Sequence, residues 1–210
     1  MKRTAILSTL LAFTVTMLAS QAQAKFVYAK AGVGVGLAAR IDVDTVTTNP
    51  FGAITQEDNT DLGTGFPLLL AVGFKFGPLI SLEGEFSYRS ASEVGTEVSF
   101  AHSHIGANIV FNIPLPLLPI SPYFGGGALL QIPGYPEIDN IKVDWGSGFA
   151  LQFFGGAYYD INALISIGLD LRYLTTIVGP SDDTSLAAIT VDRTSNYSQL
   201  AAIANIMFGF

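Results

Sequence analysis

The sequence predicts an all-β chain, a closed antiparallel up-and-down transmembrane β-barrel of about eight strands. Three observations predict it. Alternating apolar and polar residues recur along the chain in segments of about ten residues, the length that a tilted spanning strand needs. Half of the residues are apolar and only 13% are charged, against roughly a quarter in soluble domains. Between Glu97 and Glu137 the only acidic or basic side chains are His102 and His104, yet no spanning helix fits there. Pro114, Pro116, Pro119, Pro122 and Pro133, with Gly125 to Gly127, break any helical window of about 18 residues. A segment in hydrocarbon must satisfy its own backbone hydrogen bonds, so with helices excluded the closed barrel remains.

The first residues read as a sorting signal. Lys2 and Arg3 form a basic head, Ala5 to Leu18 is nearly all apolar, and Ala22-Gln23-Ala24 has the small-x-small pattern of a cleavage site. Residues 1–24 are therefore expected to be a signal peptide cleaved after Ala24, and residues 25–210 a single barrel domain. All 17 acidic residues but only eight of the 10 basic ones lie beyond Ala24. An acidic chain without a basic cluster argues against nucleic acid as a partner. The absence of cysteine argues against a small secreted disulfide scaffold.

Two strands alternate cleanly. Ile80, Leu82, Gly84, Phe86 and Tyr88 share one face against Ser81, Glu83, Glu85, Ser87 and Arg89; Ile165, Ile167, Leu169, Leu171 and Tyr173 oppose Ser166, Gly168, Asp170 and Arg172. The first strand, about Phe26 to Ala39, sets Val27, Ala29, Ala31, Val33, Val35 and Leu37 against Lys30, Gly32, Gly34 and Gly36. Phe66 to Phe76 turns Lys75 inward. Val98 to Ile113 turns His102, His104, Asn108 and Asn112 inward. Two more strands begin near Tyr123 and Ser147, and the last runs from Asn196 to Phe210, with Gln199 and Asn205 inward. Turns at Gly77-Pro78, Pro114 to Pro122 and Asp160 to Ala163 alternate with acidic loops, a long one at Asp42 to Gly65, a short one near Ala91 to Thr96, and others at Ile132 to Gly146 and Thr176 to Ser195. That alternation puts the turns and both termini on the inner side of the membrane and the loops outside. Aromatics gather near both ends of the strands. Phe26, Tyr28, Phe74, Phe76, Phe111, Tyr123, Tyr158, Tyr159, Phe208 and Phe210 are expected to form the inner girdle. Phe66, Tyr88, Phe100, Trp145, Phe149, Tyr173 and Tyr197 are expected to form the outer one.

The strand rhythm, together with Pro122-Tyr123-Phe124-Gly125-Gly126-Gly127, Leu169-Asp170-Leu171-Arg172-Tyr173 and Ile206-Met207-Phe208-Gly209-Phe210, resembles the small outer-membrane barrel superfamily that includes the OmpA transmembrane domain, OmpX and OmpW. The resemblance covers nearly all of residues 25–210 and implies a bacterial outer-membrane location. It also implies outer-membrane lipid and lipopolysaccharide as surroundings, and an assembly signal at Phe208 and Phe210 read by the barrel-assembly machinery. A glycine common five places before the final residue is Asn205 here. Fold-level likeness does not carry activity.

The candidate site is the lumen. Lys30, Lys75, Glu83, Glu85, Arg89, His102, His104, Asp170 and Arg172 fall on inward positions, with Asn108 and Gln152 beside them. An interior of about eight strands is just wide enough for side chains to fill, and unpaired buried charge is costly, so a mutually paired polar network is expected there. The alternative is a narrow polar conduit for small solutes. An enzyme is the remote third reading, because some barrels of the resembled superfamily modify lipid A. The deacylases among them place a histidine and a serine two residues apart, whereas in His102-Ser103-His104 the serine points to the opposite face. No catalytic residue, cofactor or metal site is therefore expected; the histidine pair lacks a third soft ligand. The acidic loops lack the rhythm of a calcium loop. They offer contacts to an extracellular partner, and a monomer is expected. The Asn196 to Ser198 triplet carries no information in a bacterial protein.

Overall fold

The computed structural model describes residues 26–92, 99–115, 118–132, 137–138, 141–142, 147–179, 181–186 and 189–210. The expected signal peptide and the expected girdle residue Trp145 lie outside the described residues. The strands are β1 (Val27–Asn49), β2 (Gly52–Leu62), β3 (Pro67–Phe76), β4 (Ile80–Ser92), β5 (Ser99–Asn112), β6 (Ile120–Ile132), β7 (Glu137–Ile138), β8 (Ile141–Lys142), β9 (Gly148–Asp160), β10 (Ile165–Val178), β11 (Ser181–Leu186) and β12 (Ile189–Gly209). Eight of them, in the order β1-β3-β4-β5-β6-β9-β10-β12, pair antiparallel, and β12 returns to pair with β1. The expected barrel is thus present and closed, which leaves it no open edge within the membrane. β7 and β8 form a separate two-residue hairpin.

The register sets the tilt. Following paired residues once round the ring runs Val27, Phe74, Leu82, Ile109, Gly126, Phe153, Tyr173, Leu200 and back to β1 at Ala38. A ring that returns this far along its first strand tilts its strands by roughly 40° from the axis. Side chains alternate as the pleat requires. Leu70, Val72, Leu82, Ile105, Ile109, Phe153, Leu169 and Leu171 face outward and are exposed, while their neighbours in sequence are buried. A chain whose exposed surface is this apolar is adapted to lipid.

Three expectations need correction. The segments from Asp42 to Gly65 and from Thr176 to Ser195, taken as loops for their polarity, are mostly strands. β1 continues from Ala39 to Asn49 paired with β2 on one side and β12 on the other, and β11 pairs with β12. β-Branched residues supply the propensity (Ile41, Val43, Thr45, Val46, Thr47 and Thr48 on β1). The turn is local chemistry: Asn49 Oδ1 accepts the Phe51 N–H at 2.8 Å, and Gly52 takes φ 149°, which other residues rarely adopt. The second correction is a bulge between Gly36 and Ala38, which reverses the parity of β1 and turns Ala39 and Ile41 inward. The third concerns the girdles. Tyr28, Tyr123, Tyr158 and Tyr197 are buried inside the barrel, because they share the inward parity of their strands. The lipid-facing inner girdle is Phe26, Phe74, Phe76, Phe111, Tyr159, Phe208 and Phe210, with Phe124 stacked on Phe111 at 5.2 Å. Tyr88 and Tyr173 face outward near the other end.

Candidate functional site

The lumen is filled in three tiers. At the inner end Tyr28, Val110, Tyr123, Phe154, Tyr158 and Met207 form an apolar cluster, with Tyr123 and Tyr158 stacked at 4.3 Å. Glycines make room for the rings: a Cβ at Gly73 would collide with Tyr28, and one at Gly168 would sit 2.6 Å from the ring of Tyr158. Gly73 and Gly168 therefore offset bulky neighbours. Lys75 lies at this end, half-buried, with Nζ 5.6 Å from the centre of the Tyr28 ring.

The waist holds the charge. Lys30 Nζ donates to Glu83 Oε1 at 2.7 Å and Oε2 at 2.8 Å, and the Tyr28 hydroxyl donates to Glu83 Oε1 at 2.8 Å. Arg172 Nη1 donates to Glu85 Oε2 at 2.7 Å; its Nε and Nη2 reach Asp170 Oδ2 at 3.0 Å. Four strand steps separate β10 from β4 in either direction round the ring, so the Arg172–Glu85 pair bridges the full width of the lumen. Amides complete the set. Asn108 and Gln152 donate to Glu85 Oε2 at 2.6 and 2.9 Å, and Asn205 donates to Asp170 Oδ1 at 2.8 Å. The Arg172 guanidinium also lies 4.2 Å from the centre of the Phe154 ring. Among the described residues the buried charges are Lys30, Arg89 and Arg172 against Glu83, Glu85 and Asp170, three of each sign. Opposite charges held this closely offset much of the cost of leaving water, although Glu85 Oε1 accepts no hydrogen bond among the described residues.

The outer tier is less completely paired. Arg89 Nη1 reaches Gln199 Oε1 at 3.4 Å, while its Nε and Nη2 and both ring nitrogens of His104 make no hydrogen bond among the described residues. Gln131 Nε2 donates to His102 Nδ1 at 2.8 Å, and the His102 ring lies 5.0 Å from that of Tyr197. Around and beyond them Ala39, Ile41, Ala91, Leu129, Ala150, Leu174 and Tyr197 form an apolar cluster, with Leu129, paired to Gly106, lying deeper than His104 and Gln131. Ser103 pairs with the lipid-facing Tyr88 while His102 and His104 point inward, so neither histidine can act as its base. Among the described residues no group of three or more His, Cys, Asp or Glu is placed to hold a metal.

Sequence reasoning turns Gln199 and Asn205 inward but leaves Gln131 and the inward tyrosines Tyr28, Tyr123, Tyr158 and Tyr197 out of the network. The parity of each strand carries them; the omission came from reading tyrosine as an interface residue before reading its position.

A closed ring of eight strands, apolar towards lipid and charged within, defines a transmembrane β-barrel protein. The chain belongs to the family described as "Outer membrane protein beta-barrel domain", whose model matches residues 8–199. The family places the protein in the bacterial outer membrane. Among solved structures it is similar to Neisserial surface protein A (NspA), with 14% identity, TM-score 0.52, and 88% of this chain and 97% of that one covered. It is also similar to the outer membrane protein OprG from Pseudomonas aeruginosa, with 11% identity, TM-score 0.54, and 86% and 95% covered. At these identities the likeness is one of fold. No curated protein matches the chain.

Proposed function

We propose that this protein is a closed, non-enzymatic barrel that serves as a structural platform and acts at the cell surface through the strands it raises above the membrane. The observation that carries the reading is the Arg172–Glu85 bridge across the waist, with an apolar cluster towards each end. A passage for ions would present a continuous wetted wall, more often with one sign of charge in excess. Here the buried charges balance in number, and the three acids are held by Lys30 and Arg172. The second support is the strand extension: β1 and β12 stay paired as far as Thr48 and Thr190 and carry β2 and β11 on their flanks, a four-stranded sheet beyond the barrel. In this reading the signal peptide leaves after Ala24, the last strand enters the barrel-assembly machinery through Phe208 and Phe210, and the folded monomer is embedded among lipid and lipopolysaccharide. Single-channel recording of the refolded protein, residues 25–210, in a planar bilayer tests it. Little or no conductance is expected. Steady, reproducible open channels would overturn the closed-lumen reading in favour of a passive channel for small solutes.

A further inference from the structure

Among the described residues nothing pairs with the far edge of β2. Among the described residues the sheet order ends at β2 on one side and at β11 on the other, and β2 hydrogen-bonds to β1 alone. Every second residue of such an edge strand aims its N–H and C=O away from the sheet, which makes a template for another extended chain. The two edges are unequal. β11 is six residues long and follows Pro180, whereas β2 runs unbroken for 11 residues, from Gly52 to Leu62. β2 contains no proline and no lysine, the residues that usually blunt an edge. Its side chains are exposed wherever they are described. At the adjoining turn Phe51 is 100% exposed, and Ile54 on the strand is 65% exposed. Both are apolar anchors that stand largely uncovered.

Charge selects the occupant. β2 carries Glu57, Asp58 and Asp61, and the β1 segment beside it carries Asp42 and Asp44. Asp44 stands directly opposite Glu57, an arrangement that is unfavourable until a cation approaches. The one base among these residues, Arg40, is engaged by Asp42 at 2.7 Å. A second copy of β2 is a poor partner: antiparallel pairing centred on Glu57 would set Glu57 against itself and bring both sets of acids together.

We propose that the edge of β2 is a docking site for an extended, basic segment of another protein, which adds to the sheet as a strand next to β2. This deepens the surface-interaction reading and rests on it. Backbone hydrogen bonds supply the register and the acids of β1 and β2 supply the preference for lysine and arginine.

The test uses the full barrel, residues 25–210, in lipid nanodiscs. The probes are a fluorescent peptide of alternating lysine and threonine, its glutamate counterpart, and two lysine peptides N-methylated at alternate residues in opposite phases. The lysine peptide is expected to bind and to weaken with salt; the glutamate peptide is not. One methylated phase is expected to bind as well as the parent, because its methyl groups face away from β2, and the other to lose at least tenfold. The double substitution Glu57→Lys, Asp58→Lys is expected to cost the lysine peptide about tenfold and to let the glutamate peptide bind, with unchanged gel mobility of the folded barrel. Equal binding of the two methylated phases would reduce the contact to charge alone and overturn strand addition. Equal binding of lysine and glutamate peptides, no binding at all, or dimerisation through β2 in place of binding would also overturn it. Failure here with a non-conducting lumen removes only the β2 site, whereas steady channels in bilayer recording remove the reading beneath it.

Discussion

Replacing Arg172 by alanine is the sharpest test of how the barrel is held closed. The guanidinium is fully buried, bridges Glu85 and Asp170, and lies on Phe154. Its removal leaves two carboxylates in the waist without their cation, near a third at Glu83 that Lys30 still pairs. Asn108 and Gln152 continue to donate to Glu85, and Asn205 to Asp170, so the stranded charges keep hydrogen bonds but lose their counter-charge. Removing one partner of a buried pair typically costs about 3–5 kcal/mol. With two acids affected, the expected loss lies at the upper end of that range. The variant Arg172→Lys should lose less, since it keeps the charge but not the fork that reaches both acids. Urea-induced unfolding in lipid vesicles, followed by tryptophan fluorescence and by heat-modifiable gel mobility, measures the change. The compensating variant R172M/E85Q/D170N removes the charges together and should recover most of the stability. Unchanged stability of Arg172→Ala, or a compensated variant no better than the alanine one, would refute the account of a waist held by charge pairing.

Two further outcomes test the placement in the membrane and the closing seam. Leu169 is 62% exposed on the lipid-facing side of β10, so Leu169→Arg should cost about 2–4 kcal/mol, while Thr175→Arg, six residues nearer the outer rim, should cost about 1 kcal/mol or less. Vesicle refolding measures both, and an equal or reversed order would displace the assigned membrane band. Phe210 exchanges backbone hydrogen bonds with Val27, donating at 2.8 Å and accepting at 3.5 Å where β12 meets β1. Its deletion should lower the folded, heat-modifiable fraction recovered from outer membranes; a normal folded fraction would remove Phe210 from the proposed assembly signal.

Much of the barrel is legible in single strands because a strand's side chains alternate with a period of two, a strictly local property. The alternation in Ile80 to Arg89 and in Ile165 to Tyr173 states which residues meet lipid and which turn inward, before any partner strand is known. The same parity places Tyr28, Tyr123, Tyr158 and Tyr197 inside, although aromatic character alone suggests the membrane interface. Local reading failed where two parities were joined. The bulge before Ala38 costs the chain nothing that composition records, yet it decides that Ala39 and Ile41 cap the lumen.

Polarity likewise misreports the strands beyond the membrane. The residues of β2 are polar because their described side chains are exposed, and β2 and the outer part of β1 are extended because each pairs with the other. The sequence by itself determined that the chain closes into a barrel and that its bases and acids are confined together. The choice of partner belonged to the tertiary structure. Arg172 meets Glu85 while Glu83 goes to Lys30, since contact across a ring depends on the number of strands and on the stagger accumulated at closure. Neither quantity exists in a strand taken alone.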